Sequence, residues 1–381
     1  MKISVLGDIM LSRLIGEKYE KTNYNIVSND VKQKLRKSDY VIANLESPIL
    51  DSDDDFDHLV FNAKKETLKE FDFVDFFSLA NNHINDCGEE GIKGTIKALE
   101  EQRFDYNGVF IDNYKPFVFE KNNQKFAIFT CTDMMNVPIK HSLKVPDIND
   151  AYILKLLRQY KNEGFIIIVY AHMGQLFTRY PNPLIRQISK KYCDNGADIV
   201  LTVHPHVLGG IEEYKGKKII YSLGDFVMDG SSYRRRRSCI IDFNYNFELK
   251  VFENFRMIPT YVNKKLETIF APPKHKKIAI NGWLNISKKL NSLSKAKYNS
   301  KYRFLYKFEI LNHNISTIAY ILNHKGFVFF FKLIFKRLDE VKMMFRWVVS
   351  DRSKITKDDD AILENRKKLT SKELFSENRK S

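Results

Sequence analysis

The chain has 381 residues, of which 44% are hydrophobic and 29% are charged. This composition excludes an intrinsically disordered protein, and the length allows one large domain with an appendage or two domains. The net charge of +15 is uneven, because residues 264–381 hold 27 of the 62 basic but only 11 of the 47 acidic residues. Residues 1–263 are therefore close to neutral, and we predict two units with different roles, 1–263 and 264–381.

The four cysteines lie far apart and show no CxxC spacing, which favours reduced thiols in a cytoplasmic protein. No apolar run reaches the roughly 20 residues that a membrane span needs. The first residues have the pattern of a core strand, so a cleaved leader is not expected. The sequence therefore favours a cytoplasmic location, or a peripheral one at the inner face of the membrane.

Short apolar runs rich in Ile, Val, Phe and Tyr alternate with helical patterns in the first unit. Such runs of about 5–7 residues are typical of buried strands. The predicted strands are, in chain order, 2–7, 40–45, 73–79, 126–130, 165–170, 198–203 and 218–223. The predicted helices include 91–102, 151–162 and 183–195. This alternation predicts an α/β fold, either a sandwich or a doubly wound sheet.

Nearly every predicted strand ends in residues that can bind a metal ion. These residues and their polar neighbours are Asp8, Asn44, Glu46, Asn81, Asn82, His83, His172, His204, His206 and Asp225. Taken singly, each has an ordinary explanation as a turn residue, a helix cap or a hydrogen-bonded core side chain. Loops at the carboxyl ends of strands in α/β sheets converge on one site, however. The ordered occurrence of these residues therefore predicts a common site.

Carboxylates and imidazoles together suit Mn²⁺, Fe or Zn²⁺, as one or two ions. Two ions about 3.5–4 Å apart can polarise a phosphoryl group and lower the pKa of a bridging water, and Glu46 could bridge them. His204 and His206 flank Pro205, which biases His204 towards extended backbone. In an extended segment alternate residues face the same way, so both histidines are expected to reach the site.

Four consecutive arginines, Arg234–Arg237, follow shortly after Asp225. Such a run is most often a solvated loop. Its position next to the predicted site supports a second interpretation, in which Arg235 and Arg236 contact an anionic substrate.

The second unit is basic and aromatic. Residues 274–346 contain 16 basic and three acidic residues, and 326–349 is dense in phenylalanine. This segment could lie in a membrane interface and be drawn to anionic lipids, or pack its aromatic face on the first unit as a helical subdomain. Nucleic acid is a third interpretation, but no specific nucleic-acid module is evident. Residues 351–381 have the pattern of a charged helix or tail.

Five motifs resemble the bacterial capsule-synthesis CapA family, also known for poly-gamma-glutamate biosynthesis. They are GDIML at 7–11, NLESPI at 44–49, LANNHINDCGEEGI at 79–92, AHMG at 171–174 and NGADIVLTVHPHVLGGIEEYKGKKIIYSLGDFVMD at 195–229. The resemblance covers about residues 1–260. That family is similar to calcineurin-like metallophosphoesterases, which implies a metallophosphoesterase-like αββα sandwich with a basic, mainly helical C-terminal extension.

The resemblance also implies roles for individual residues. One ion would be held by Glu46, Asn82, His172 and His204, and the other by Asp8, Glu46 and His206. His83 would be the general acid. Five further residues would support the ligands or contact the substrate: Asn44, Asn81, Asp225, Arg235 and Arg236.

Two positions depart from the metallophosphoesterase pattern. Met10 stands where those enzymes have the histidine of Asp-x-His, and a thioether is a poor ligand for hard ions. Leu176 stands where the family usually has a glutamate. Because Met10 leaves the Asp8 side with three candidate ligands against four, a single bound ion is expected on the His204 side.

The function implied by the resemblance is a metal-dependent phosphoesterase-like hydrolase in capsule, poly-gamma-glutamate or surface-polysaccharide biosynthesis. Its substrate would be an anionic polymer or a phosphoester, and His83 would protonate the leaving group. One alternative is a non-catalytic assembly factor that scaffolds a membrane polymer synthase through the basic extension. A metal-dependent nuclease is a third reading of the same residues.

Overall fold

The computed structural model describes residues 1–336, except 23, 52–59, 134 and 231. The first sheet has the order β14 (Thr268–Phe270), β13 (Val251–Val262), β12 (Arg237–Asn246), β1 (Lys2–Ile9), β2 (Tyr40–Leu45), β3 (Phe76–Ser78) and β4 (Asp105–Asn107), and β11 (Asp225–Val227) pairs with the end of β1. The second has the order β5 (Phe117–Lys121), β6 (Gln124–Thr132), β7 (Ile166–His172), β8 (Ile199–Val203), β10 (Lys217–Ile220) and β9 (Ile211–Tyr214).

The helices fall into a set near each sheet and a C-terminal pair. They are α1 (Arg13–Thr22), α2 (Asn29–Leu35), a 3₁₀ helix (Lys65–Phe71), α3 (Gly88–Glu101), α4 (Ala151–Asn162), α5 (Pro183–Asp194), α6 (Pro273–Ser292) and α7 (Lys295–Lys336). Where a side-chain cap is present, it determines the residue at which the helix begins. Asp150 and Asn182, for example, accept hydrogen bonds from the first-turn amides of α4 and α5.

Three apolar layers define the sandwich. The middle layer joins the inner faces of both sheets, with Val5 and Ile42 from the first packed among Ile168 and Leu201 from the second. A second layer lies between the first sheet and α1–α3, and a third between the second sheet and α4–α7. The chain is therefore a four-layer αββα sandwich, as predicted, and the alternative of one doubly wound sheet is wrong.

Parallel strands bring the predicted site residues to one edge of each sheet. The pairs β1–β2 and β2–β3 are parallel in the first sheet, and β6–β7 and β7–β8 are parallel in the second. These strands are almost wholly buried, as parallel strands with both faces covered must be. Their apolar residues are therefore nearly continuous, which is why these strands can be predicted from the sequence.

The Tyr170 side chain links the two sheets at the site. The Tyr170 hydroxyl on β7 donates a hydrogen bond of 2.8 Å to the carbonyl oxygen of Leu6 on β1. Both residues are fully buried, and each lies two positions before a predicted metal ligand, His172 and Asp8 respectively. This bond holds the ends of β1 and β7 at a set distance across the sandwich.

The C-terminal pair packs on the rest of the chain. Ile286 and Leu290 of α6 and Tyr298 of α7 belong to the apolar layer on the outer face of the second sheet. The first sheet continues past residue 263, because β14 is its edge strand. No described helix is both long and apolar enough to cross a bilayer. The predicted interfacial segment 326–349 is described only as helical backbone to Lys336, and its remainder, with 351–381, lies outside the described residues.

Candidate metal centre

Two overlapping sets of side chains could each hold a metal ion. The ligand atoms of Glu46, His172 and His204 lie within 4.8 Å of one another, and so do those of Asp8, Glu46 and His206. All five residues are buried. Glu46 Oε1 is 3.4 Å from His172 Nε2 and 3.7 Å from His206 Nε2, so this one carboxylate lies between the two sets. The predicted strand ends therefore converge.

The Glu46 carboxylate fits a bound cation. Neither of its oxygens accepts a hydrogen bond from the described residues, although the side chain has no exposure to solvent. A buried carboxylate left in this state is costly, because it has lost its water shell and gained no donor. Imidazole nitrogens and carboxylate oxygens are suitable donors for Mn²⁺, Fe or Zn²⁺. The donor set thus matches the divalent ion that the sequence predicts.

Asp8 is held on both of its oxygens. Asn44 Nδ2 donates to Oδ1 at 2.9 Å, and the backbone amide of His204 donates to Oδ2 at 3.2 Å. Asn81 Nδ2 in turn donates to Asn44 Oδ1 at 3.2 Å and to the Leu45 carbonyl at 2.7 Å. These bonds fix Asp8 relative to β2 and β3, so Asn44 and Asn81 orient a ligand, the kind of support that metal sites require.

His206 is oriented by Asp225. Its Nδ1 lies 2.7 Å from Asp225 Oδ1, which leaves Nε2 turned towards Glu46. The Arg235 guanidinium lies beside the same carboxylate, with Nε 3.5 Å from Oδ2. A carboxylate on the far nitrogen of a histidine ligand fixes its tautomer and strengthens its basicity.

The loop from Val203 to Val207 is not extended, and the predicted backbone geometry of the two histidines is wrong. His204 has φ of 102° and His206 has φ of 57°, both in the left-handed region that residues with a Cβ rarely adopt. The turn, and not strand alternation, brings both rings to the centre. Such strain persists only where the surroundings enforce it. Here Asp8 and Asp225 hold the two residues through the amide of His204 and the ring of His206.

Asn82 and His83 lie in the turn that follows β3. Asn82 Nδ2 donates to Asn136 Oδ1 at 3.0 Å, and Asn82 Oδ1 is buried and accepts no hydrogen bond from the described residues. His83 Nδ1 is 2.7 Å from Asp86 Oδ2, and its ring stacks on Phe61 with centroids 3.8 Å apart. The ring is thus fixed in plane, with Asp86 at Nδ1 and the Asn136 amide nitrogen 3.1 Å from Nε2.

Burial governs the protonation of the centre in the absence of an ion. It raises the pKa of Asp8, and the nearby charge of Glu46 raises it further. Burial also raises the pKa of Asp225, to about 7, and lowers the pKa of His206. All three shifts disfavour charge in a dry site. A divalent ion would reverse this balance for the carboxylates.

Met10 and the arginine run complete the placement of the predicted residues. Met10 has no exposed surface and belongs to the apolar layer between the first sheet and its helices. Arg236 is buried and donates to the carbonyl oxygens of Val262 and Asn263 and to the Tyr320 hydroxyl. Arg235 alone of the two predicted arginines lies beside the centre.

Several residues near the centre were not predicted from the sequence. Asp86 and Asn136 contact His83 and Asn82, and the spacing of Asp86 from His83 could have indicated a pair. His313 of α7 stacks on Phe177, with centroids 4.0 Å apart, and the Phe177 ring is 6.4 Å from that of His206. The C-terminal extension therefore reaches the edge of the centre, which only the three-dimensional structure reveals.

Comparison with known proteins identifies the family. Residues 2–230 match the family described as "Bacterial capsule synthesis protein PGA_cap". The chain belongs to this family. The resemblance predicted from the motifs is confirmed, and the matched residues contain every predicted metal ligand.

Two curated relatives agree with this membership. The "Capsule biosynthesis protein CapA" of Bacillus anthracis is 32% identical over 265 residues, 64% of this chain and 64% of that protein. The "PGA biosynthesis protein CapA" of Bacillus subtilis (strain 168) is 31% identical over 258 residues, 64% of this chain and 67% of that protein. The match spans about two thirds of the length of these relatives.

Solved structures that match this chain include a phosphatase from Mycoplasma pneumoniae and the 5'-nucleotidase of Candida albicans SC5314. The first has a TM-score of 0.44 at 14% identity, covering 73% of this chain and 96% of the other. The second has a TM-score of 0.41 at 12% identity, covering 81% and 58%. Likenesses of this size say nothing about substrate or activity.

Proposed function

We propose that this chain is a metal-dependent, metallophosphoesterase-like hydrolase that acts in the biosynthesis of a capsule, poly-gamma-glutamate or surface polysaccharide. The observation that supports the chemistry is the shared, buried Glu46 carboxylate between two sets of imidazole and carboxylate donors. The names of the Bacillus relatives support the biological role. The substrate would be an anionic polymer or a phosphoester.

A divalent ion bound by these residues would supply Lewis-acid polarisation of the scissile group and a more acidic water. The chain's own residues would do the rest. His83, whose Nδ1 is held by Asp86, would deliver a proton to the leaving group. Arg235, beside Asp225, would orient an anionic group of the substrate. Water would be limited by the burial of every ligand.

The test is metal analysis of the purified protein together with hydrolysis of bis(p-nitrophenyl) phosphate. The unaltered chain should contain Mn, Fe or Zn and turn over the diester. His204→Ala should lose metal and activity together, whereas His275→Ala, a histidine of α6, should keep both. If His204→Ala retains both metal and activity, the proposed function is wrong.

The buried position of Met10 favours a second candidate, a non-catalytic assembly factor. It leaves the Asp8 side without the histidine that the related enzymes place there, as expected for a site that has lost activity. The basic extension would then contact a membrane synthase at the inner face of the membrane. In this case Glu46→Gln, tested in cells, would leave polymer synthesis unchanged, whereas the hydrolase predicts its loss.

A further inference from the structure

A cavity beside the candidate centre is lined by three arginines. Its walls are formed by Arg179, Val207, Leu208, Arg234, Arg237, Ile278, Ala279, Gly282 and Trp283. Val207 and Leu208 directly follow the ligand His206, and the last four residues belong to α6. The cavity thus lies between the loop that carries two candidate ligands and the first helix of the C-terminal pair.

The positive charge in this cavity exceeds the negative charge around it. Arg179 and Arg234 share one carboxylate, the fully buried Glu309 of α7, with Arg179 Nε and Nη2 3.0 and 2.9 Å from its oxygens. Arg237 donates from Nε to the Tyr233 carbonyl at 2.9 Å. Within the described part of the chain, no carboxylate forms an ion pair with Arg237. Three guanidinium groups therefore have one counter-charge.

The surroundings of Arg237 make this excess costly. Burial, together with the charges of Arg234 and Arg179, lowers its pKa to about 10. Val207, Leu208 and Ala279 are buried apolar walls, so the local dielectric constant is low and repulsion between the guanidinium groups is poorly screened. An anion between these groups would remove both costs, because each guanidinium could donate a charge-assisted hydrogen bond.

Space for an anion is kept open by a glycine. Gly282 lies inside α6, where glycine is a poor helix former. A Cβ built at this position would meet Arg179 Nη1 at 3.0 Å, so a side chain here would push this guanidinium out of its present position. The cavity has a volume of about 40 Å³. One water needs roughly 10–15 Å³ on this scale, so a phosphate or carboxylate group has room.

We propose that this cavity is an oxyanion-binding site in which Arg237, with Arg179 and Arg234, binds a phosphate or carboxylate group. The ligand is either a small free anion or an anionic group of a polymer that extends past the metal centre. The site is separate from the metal ligands and does not depend on the proposed hydrolytic function. It gives the helix α6 a direct part in binding, because Gly282 and Trp283 form one wall.

Trp283 provides the measurement. The chain has two tryptophans, so Trp347→Phe leaves Trp283 as the sole indole reporter. Titration of this variant with inorganic phosphate at constant ionic strength should give a saturable change in fluorescence. Arg237→Gln in the same background should weaken binding at least tenfold, while Arg256→Gln, which removes an exposed arginine of β13, should leave it unchanged. Equal affinity in Arg237→Gln and its parent, or no saturable change in the parent, would overturn the proposal.

Two further variants guard against misfolding and against binding elsewhere. Gly282→Leu should fill the cavity and weaken binding at least tenfold, and leucine is the better helix former, so the fold should survive. Unweakened binding in Gly282→Leu would refute the site. His204→Ala, which removes a candidate metal ligand, should retain the phosphate response. Loss of the response in His204→Ala would place the phosphate at the metal centre and refute the cavity site.

Competition distinguishes the source of the anion. If a glutamate oligomer displaces phosphate at matched carboxylate concentration, the cavity accepts a polymer-borne carboxylate. If it does not, while phosphate still binds through Arg237, the ligand is a small free oxyanion. Both results support the site, and only the parent and cavity variants decide whether it exists.

Discussion

The two halves of the candidate metal centre share Glu46 but are built differently. On the Asp8 side, both oxygens of Asp8 accept hydrogen bonds and His206 is held by Asp225. On the His204 side, Asn82 Oδ1 is buried without a described donor and adds a fourth candidate ligand. The ligands of the Asp8 side are therefore well oriented but few, whereas the His204 side has more candidate ligands. Orientation of ligands and number of ligands are separate properties of a metal site.

The largest expected effect comes from the residue that the two halves share. Glu46→Gln should empty both sites, because an amide replaces the only carboxylate common to them. Activity should fall about a thousandfold, which corresponds to several kcal/mol of lost transition-state stabilisation. Metal content and diester hydrolysis measure this, with Glu120→Gln on the exposed strand β5 as the control. Normal metal content in Glu46→Gln would show that the halves do not share a ligand.

The next prediction compares the halves directly. His206→Ala should retain about one ion per chain, because the four candidate ligands of the His204 side remain. His204→Ala should retain less, because the three-ligand Asp8 side then binds alone. Metal analysis after dialysis against a weak chelator measures both variants side by side. The opposite order would mean that orientation by Asp225 and Asn44 outweighs the number of donors.

Asp225→Asn should have a smaller effect, confined to the Asp8 side. It removes the carboxylate that orients His206 while keeping the size of the side chain, and changes of this kind cost about 10- to 100-fold in metal affinity or activity. Titration with Mn²⁺ should show one weakened site and one unchanged site. Equal weakening of both sites would contradict a division of the centre into halves.

The smallest effect is on pH dependence. Burial and the charge of Glu46 raise the pKa of Asp8, so a proton competes with the ion there at higher pH than at an ordinary aspartate. Burial also raises the pKa of Asp225, to about 7, so affinity for Mn²⁺ should rise as the pH is raised to about 7, by at most about tenfold per pH unit for each proton displaced. Burial lowers the pKa of His206, which disfavours competition from a proton on that ring. Asp225→Asn should show a shallower rise, and a flat profile in the unaltered chain would contradict the assignment.

Most of the strands that could be predicted from the sequence are buried along nearly their whole length. All seven predicted strands exist, because parallel strands such as β7 and β8 are continuous apolar runs. The long strands β12 and β13 were not predicted. Residues 251–258 of β13 are partly buried or exposed and include Glu253 and Arg256, so the apolar signal is diluted.

The candidate site was also predictable only in part. Residues at strand ends could be predicted to converge, since strand direction alone brings them together. The left-handed backbone of His204 and His206 could not, because it depends on Asp8 and Asp225, which are distant in sequence. The burial of Arg236 against Tyr320 and the stacking of His313 on Phe177 could not be predicted either, because both depend on where α7 packs. Local pattern indicates which residues can bind, whereas tertiary packing determines how they are held.

The hydrogen bond from Tyr170 to Leu6 couples the spacing of the two sheets to the geometry of the metal centre. Without it, as in Tyr170→Phe, the sheets would still share their apolar interface but could slide over one another by a fraction of an ångström. A shift of that size would cost little at an apolar interface, yet it would change the distance between Asp8 and His172. The chain would then remain folded while selecting among metal ions less strictly, because ions differ in the bond lengths and coordination geometries they accept.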